Sequence, residues 1–236
     1  MKIRTALVSI VIGTAILAGC YPAYQVKEEP SSSGFLGNDY AKLKPGKGPD
    51  QAAQRYISPA ADFGGYKAIY MAPVLFYSSA GKDLSPQNRQ TLANNFYIAL
   101  STELGKDYKL VGQPQPDTMR LQFAITEATT KSVGLDTVST ILPIGLVVKA
   151  AKQKFKGDPG FTGKFAIEFK VTDATSGKLL AAGIDKRAGG LGFSGDHFEK
   201  WDDVDQIMDL YAKISRYRLC KERRDTDCVA PPTPSK

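Results

Sequence analysis

Every second residue of KFAIEFKV, residues 164–171, is large and apolar: Phe165, Ile167, Phe169 and Val171 fall on one face, Lys164, Glu168 and Lys170 on the other. Strand side chains alternate between two faces, so this pattern demands a sheet with one face covered. DATSGK, 173–178, reads as a turn, and KLLAAGIDKR as the returning strand of a hairpin. The same alternation recurs in MRLQFAITEATT, where Leu121, Phe123 and Ile125 oppose Arg120, Gln122 and Ala124. DYKLV, 107–111, adds a further strand. KAIYMAPVLFY, 67–77, is nearly continuous apolar and suits a central strand buried on both faces.

Two segments carry the helical period instead. In LSPQNRQTLANNFYIALSTELG, Ser85 suits an N-cap, Pro86 the first turn and Gly105 the stop. Leu92, Phe96, Leu100 and Leu104 make one face of that helix. A last helix is expected over about 201–219, with Trp201, Val204, Met208, Tyr211 and Ile214 as its apolar stripe. Its first turn holds Asp202, Asp203 and Asp205 and its end holds Lys213, Arg216 and Arg218, the order a helix dipole favours. The expected fold class is α+β: one domain, a largely antiparallel sheet with helices packed on one face.

The chain opens MKIRTALVSIVIGTAILAGC. Lys2 and Arg4 precede an apolar run, and Ala18-Gly19 supplies a small-residue cleavage zone. The run is shorter than the roughly 20 apolar residues of a spanning helix. Its end resembles the bacterial lipobox Leu-Ala-Gly-Cys, which implies cleavage after Gly19 and acylation of Cys20. Several acyl chains together give stable anchoring. In lipoproteins of this kind an aspartate after the cysteine signals inner-membrane retention. Tyr21 stands there, so the outer membrane is the expected address, with the domain facing the periplasm.

Loss of residues 1–19 leaves 217 of 236, enough for one domain with a core. The formal charge of +7 falls by two, to +5, when Lys2 and Arg4 leave. That balance suits an anionic surface. Nucleic acid is not an expected partner, since no recognition motif is present. Residues 20–56 are read as the lipidated cysteine with a tether and docking segment, 57–220 as the domain and 221–236 as a tail. YPAYQVKEEPSSSG, 21–34, has linker composition and would reach about 45 Å if extended. Beyond it, Phe35, Leu36, Tyr40 and Leu43 are positioned to dock on the folded body. Cys220 and Cys228 form an even pair once Cys20 is acylated and are expected to be disulfide-bonded. Closing so short a loop contributes about 2.5 kcal/mol in the chain-entropy model.

Chemical motifs are weak. GLGFSG, 190–195, has the letters of a dinucleotide loop but follows a late hairpin, with too little chain left for such a domain. Ser194, Asp196 and the single histidine, His197, crowd into four positions, which does not make a triad, and GFSG is not a nucleophile elbow. One histidine without clustered cysteines makes no zinc site. Asp196, Glu199, Asp202, Asp203 and Asp205 lack the order of a calcium loop. No catalytic residue, metal or cofactor is assigned, and the protein is expected not to be an enzyme.

TVSTILPIGLVVKAAKQKFKG, 137–157, is more informative. Ile144, Val147, Val148 and Phe155 share a helical face, while Lys149, Lys152 and Lys156 share another. Such a cationic amphipathic segment contacts a protein groove or a membrane interface, or packs as a crossover on the sheet with its lysines solvated.

SGFLGNDYAKLKPG after the tether, YKAIYMAPV, the DATSGKLLAA turn and the tryptophan-led last helix together resemble the bacterial lipoprotein family catalogued as domain of unknown function 3313. The resemblance implies an envelope lipoprotein and carries over no catalytic residue. The expectation is a non-enzymatic binding or scaffolding module held at the outer membrane by its lipid anchor, with an envelope protein as partner. The alternative is a periplasmic domain that binds or hydrolyses lipid or glycan. A deep apolar pocket with convergent polar groups near Ser194 to His197 distinguishes the alternative from the scaffold, which would have a filled core without such a pocket.

Overall fold

The computed structural model describes residues 23–26, 32–77, 84–128, 138–140, 164–188 and 200–232. Among them a ten-stranded mixed sheet carries two helices on one face, an α+β domain as the alternation requires. The strands are β1 (Tyr24–Gln25), β2 (Lys44–Pro45), β3 (Gln54–Ile57), β4 (Ala68–Met71), β5 (Leu75–Tyr77), β6 (Lys109–Val111), β7 (Thr118–Glu127), β8 (Val138–Thr140), β9 (Lys164–Asp173) and β10 (Leu179–Ala188). The helices are α1 (Pro86–Leu104) and α2 (Lys200–Glu222). The sheet runs β2-β3-β10-β9-β7-β4-β6, with β1 also on β10, and β5 linking β7 to β8. Only β4–β6, β4–β7 and β5–β7 are parallel.

The alternating segments form the centre. Phe123 pairs with Phe169, Leu121 with Val171 and Ile125 with Ile167 across β7 and β9, all toward the helices. Phe96 of α1 meets Phe123 edge-on at 5.5 Å and Phe165 at 5.7 Å. Tyr211 of α2 joins them at 6.1 Å from Phe96. In the hairpin turn Asp173 Oδ1 accepts from the backbone N–H groups of Thr175 and Ser176, and Gly177 takes a φ of +71°. Ser85 caps α1 by accepting from the N–H of Asn88 at 3.2 Å, with Gly105 at its end.

The apolar stretch 67–77 is two strands rather than one. Pro73, which has no N–H to give a ladder, lies between β4 and β5. α1 is enclosed on more than its leucine face, since Asn88, Asn94 and Asn95 are buried as well. α2 runs one turn past the expected stop at Leu219.

Over β9 and β10 the other sheet face is covered by residues 33–43, which lie across it as a strap. Leu36 is buried with Ala182 and Ile184 of β10, and Phe35, Tyr40 and Leu43 pack around them. Docking of these four side chains agrees with the sequence expectation. Glu168, expected on the solvent side, is fully buried beneath the strap. Its Oε1 accepts from the N–H of Ser33 at 2.7 Å and its Oε2 from the Tyr40 hydroxyl at 2.6 Å. Burial, then the hydrogen bond to Glu168, raises the Tyr40 hydroxyl above its ordinary pKa. Residues 23–26 of the linker-like stretch also join the sheet, where Ala23 is 2% exposed and Gln25 pairs with Arg187.

Cys220 and Cys228 are disulfide-bonded with Cα atoms 5.7 Å apart, as their even count implies. None of the helices among the described residues is long and apolar enough to cross a membrane.

Candidate functional site

β7, β9 and β10 present their inner face to the C-terminal half of α2, and a cavity of about 90 Å³ lies between them. Leu121, Phe123, Ile167 and Phe169 wall it from the sheet, Ile214 and Leu219 from the helix. Phe169, one of these walls, packs closely on Gly183, the residue it pairs with on β10: a Cβ on Gly183 would stand 2.7 Å from the ring.

Charged residues mark the open side. Arg55, next-but-one to Ile57 on β3, donates from Nη2 to Glu222 Oε1 at 3.2 Å. Arg218 donates from Nη2 to the same oxygen at 2.8 Å and from Nη1 to Asp50 Oδ2 at 3.1 Å. These side chains keep a fifth to a quarter of their surface exposed, whereas the apolar wall residues Leu121 and Ile167 are buried. Burial, and then the Arg218 guanidinium, lowers Arg55 below its ordinary value, while Glu222 opposes both.

Deeper along the same wall lies a buried ion pair. Arg187, 1% exposed, donates from Nε to Asp185 Oδ2 at 2.8 Å and from Nη2 to the Pro49 carbonyl at 2.8 Å. Its guanidinium stands 5.5 Å over the Tyr211 ring. Asp185 Oδ1 also accepts from the Gln25 amide and from the N–H of Ala53. Burial raises the Asp185 carboxyl above its ordinary pKa against the pull of Arg187, Gln25 and Ala53. Burial, with the Asp185 charge adding, pushes the Tyr211 hydroxyl well up.

Two other clefts, of about 490 and 500 Å³, flank the end of α2. Both are lined largely by charged groups, including Asp107, Arg216 and Asp227 in one and Asp62, Lys221 and Arg224 in the other. Neither offers the apolar enclosure that characterises small-molecule sites. No group of three metal-ligating side chains occurs among the described residues.

Of the residues singled out in the sequence, Cys220 and Cys228 are brought together. Cys20, the contact candidates Ile144, Val147, Val148, Lys149, Lys152, Phe155 and Lys156, and the Ser194, Asp196 and His197 cluster lie outside the described residues. The cavity walls were legible as the inner face of the alternation. The mouth was not: Arg218 and Glu222 stand at helical i,i+4 spacing, but no pattern joins them to Arg55, which is 167 residues from Glu222.

Comparison with curated proteins returns no match. Among solved structures, the PelC dodecamer from Paraburkholderia phytofirmans aligns at 11% identity, over 73% of this chain and 96% of that chain, with a TM-score of 0.32. A DUF4136 family protein from Bacteroides thetaiotaomicron aligns at 11% identity, over 72% of this chain and 95% of that one, with a TM-score of 0.34. These likenesses are loose. The sequence family is a firmer finding, because its model covers most of the chain: residues 31–214 match the family described as protein of unknown function (DUF3313), and the chain belongs to that family.

Proposed function

We propose that the protein is a lipid-anchored binding module of the bacterial outer membrane, facing the periplasm, that holds an apolar ligand in the cavity between the sheet and α2. The cavity itself carries this reading. It is enclosed by aromatic and branched side chains and opens past a few convergent polar groups, the usual build of a small-molecule site. At about 90 Å³ it is smaller than the roughly 150 Å³ cavity known to take benzene, and so suits the end of an acyl chain. The leader and the Leu-Ala-Gly-Cys stretch support anchoring through Cys20. The Cys220–Cys228 disulfide supports an oxidising compartment. The module binds without catalysing. This reading takes precedence over a protein scaffold built on residues 141–156, because it rests on described walls and a described mouth.

Titration of the full chain with 1-octanol tests it. Methyl resonances of Leu121, Ile167 and Ile214 should shift in a saturable way. Ala181→Leu, which places a larger side chain among the cavity walls, should abolish the shifts at a stability cost of about 1–3 kcal/mol. Absence of saturable shifts, or shifts that persist unchanged in that variant, would remove the cavity as a binding site.

A further inference from the structure

The mouth of the cavity is built around an arrangement that is costly without an anion. Two guanidiniums, one from β3 and one from α2, converge on a single oxygen, Glu222 Oε1, at 3.2 and 2.8 Å. Like charges brought together at a partly desolvated rim repel, and the carboxylate between them offsets that repulsion. Glu222 is therefore the counter-ion of the pair. It stands on the last turn of α2 with 23% of its side chain exposed, so a rotamer change takes its carboxylate into water. Asp50 accepts from Arg218 Nη1 at 3.1 Å, and its charge also acts on Arg55.

We infer that Arg55 and Arg218 form a headgroup site for a single-chain anionic amphiphile, whose carboxylate or phosphate takes the place of the Glu222 carboxylate while its chain enters the cavity. The inference rests on the binding function proposed above and names the ligand class for that site. Three observations fit together. The apolar wall begins directly behind the cations, with Ile57 two residues from Arg55 and Leu219 next to Arg218. The cavity has room for the end of one chain rather than two. Guanidinium forks match the planar oxygens of carboxylate and phosphate, and such charge-assisted bonds are about twice as strong as neutral ones. The lowered pKa of Arg55, caused by burial and by Arg218, agrees with a cation pair that gains from an additional anion.

The test uses the full chain carrying Cys20→Ser, so that no acyl group of its own competes, titrated calorimetrically with four probes: octanoate, octyl phosphate, 1-octanol and inorganic phosphate. Octanoate or octyl phosphate should bind about tenfold or more tightly than octanol, as a charge-assisted pair implies. Which of the two anions is the tighter distinguishes a carboxylate source from a phosphate source. Arg218→Gln and Arg55→Gln should each bring the ratio of anion to octanol affinity close to one. Arg55→Lys and Arg218→Lys, which keep the charge and lose the fork, should reduce the ratio in part and guard against a folding defect. Glu222→Gln removes the internal competitor and should tighten anion binding severalfold. Equal affinities for octanoate, octyl phosphate and octanol would overturn the headgroup inference and leave the cavity reading standing. Inorganic phosphate binding as tightly as octyl phosphate would also overturn it, since the anion site would then work without the cavity. Failure of octanol and both anions to bind would remove the cavity reading itself.

Discussion

At the scale of single residues, Gly183 does the most with the least. Its ideal Cβ would lie 2.7 Å from two ring carbons of Phe169 and 2.8 Å from the Gln54 carbonyl oxygen. The ring can tilt away, but the carbonyl belongs to β3, whose Gln54 pairs with the neighbouring Ile184 of β10. Gly183→Ala should therefore destabilise the domain by about 1–3 kcal/mol, the cost of overpacking a filled site, as read by denaturant unfolding. It should also tilt Phe169 into the cavity and weaken octanol binding in parallel. A variant that loses stability while binding octanol as before would show that Phe169 does not set the cavity's shape. Nothing in the sequence marks this glycine: it interrupts an apolar strand, where glycine signals a bulge as readily as a close approach. Glu168 was equally hidden. Alternation puts it opposite Ile167 and Phe169, but its burial comes from Ser33 and Tyr40, more than 120 residues away.

At the scale of elements, the far end of α2 is held by charge as well as by the apolar packing of Ile214 and Leu219. Arg216 donates from Nε to Asp107 Oδ2 at 2.9 Å and from Nη2 to Asp107 Oδ1 at 2.8 Å, a two-point clamp between the helix and the turn that follows α1. The hydrogen bonds from Arg216, aided by its charge, hold the Asp107 carboxyl below its ordinary value. A depressed carboxyl stabilises the fold above the unfolded-state pKa of about 4 and loses that contribution as pH falls through the lower folded value. Below pH 4 the clamp should therefore weaken. Asp107→Asn should cost about 1.5 kcal/mol at neutral pH, the low end for a charged hydrogen bond because both side chains remain partly exposed. Its stability should fall less than that of the unsubstituted chain between pH 5 and 3 in thermal melts; parallel curves would exclude the clamp as the acid-sensitive joint. The elements were more legible than their ends. The Ser85 cap and Gly105 bracket α1 in the sequence as in the structure. α2 ends without a glycine: Arg224 takes the left-handed φ of +64°, and the N–H groups of Arg224 and Asp225 reach back to the Lys221 and Cys220 carbonyls. With arginine in the position that glycine usually marks, the stop could not be read. Pro73, which divides β4 from β5, was in plain view, yet the apolar run around it outweighed its missing N–H.

At the scale of the whole molecule, the question is how far the domain would stand from the anchor proposed at Cys20. Linker composition over 21–34 suggested a free reach of about 45 Å, but composition records only the lack of a core-forming pattern. The structure uses part of that stretch: β1 runs along β10, Ala23 is 2% exposed, and the Gln25 amide donates to both Asp185 and the Gln51 carbonyl. Two residues, Tyr21 and Pro22, then separate Cys20 from Ala23, a span of about 10 Å. With the acylation of Cys20 proposed above, the β1 end of the sheet would be held against the bilayer and the tip of the β9–β10 hairpin, about 30 Å along the strands, would point away from it. A spin label at Tyr24, which is 44% exposed, should be relaxed strongly by a paramagnetic headgroup lipid, and one at Thr175 in the hairpin turn should not. A twelve-residue Gly-Ser insertion between Pro22 and Ala23 should bring the two labels to similar, weaker relaxation, because the domain then tumbles on a long leash. Equal relaxation at both sites without the insertion would mean that the domain swings free despite its short connection. The binding proposal would survive that result, but an amphiphile would have to reach the cavity mouth from solution rather than from a membrane surface held at a constant distance.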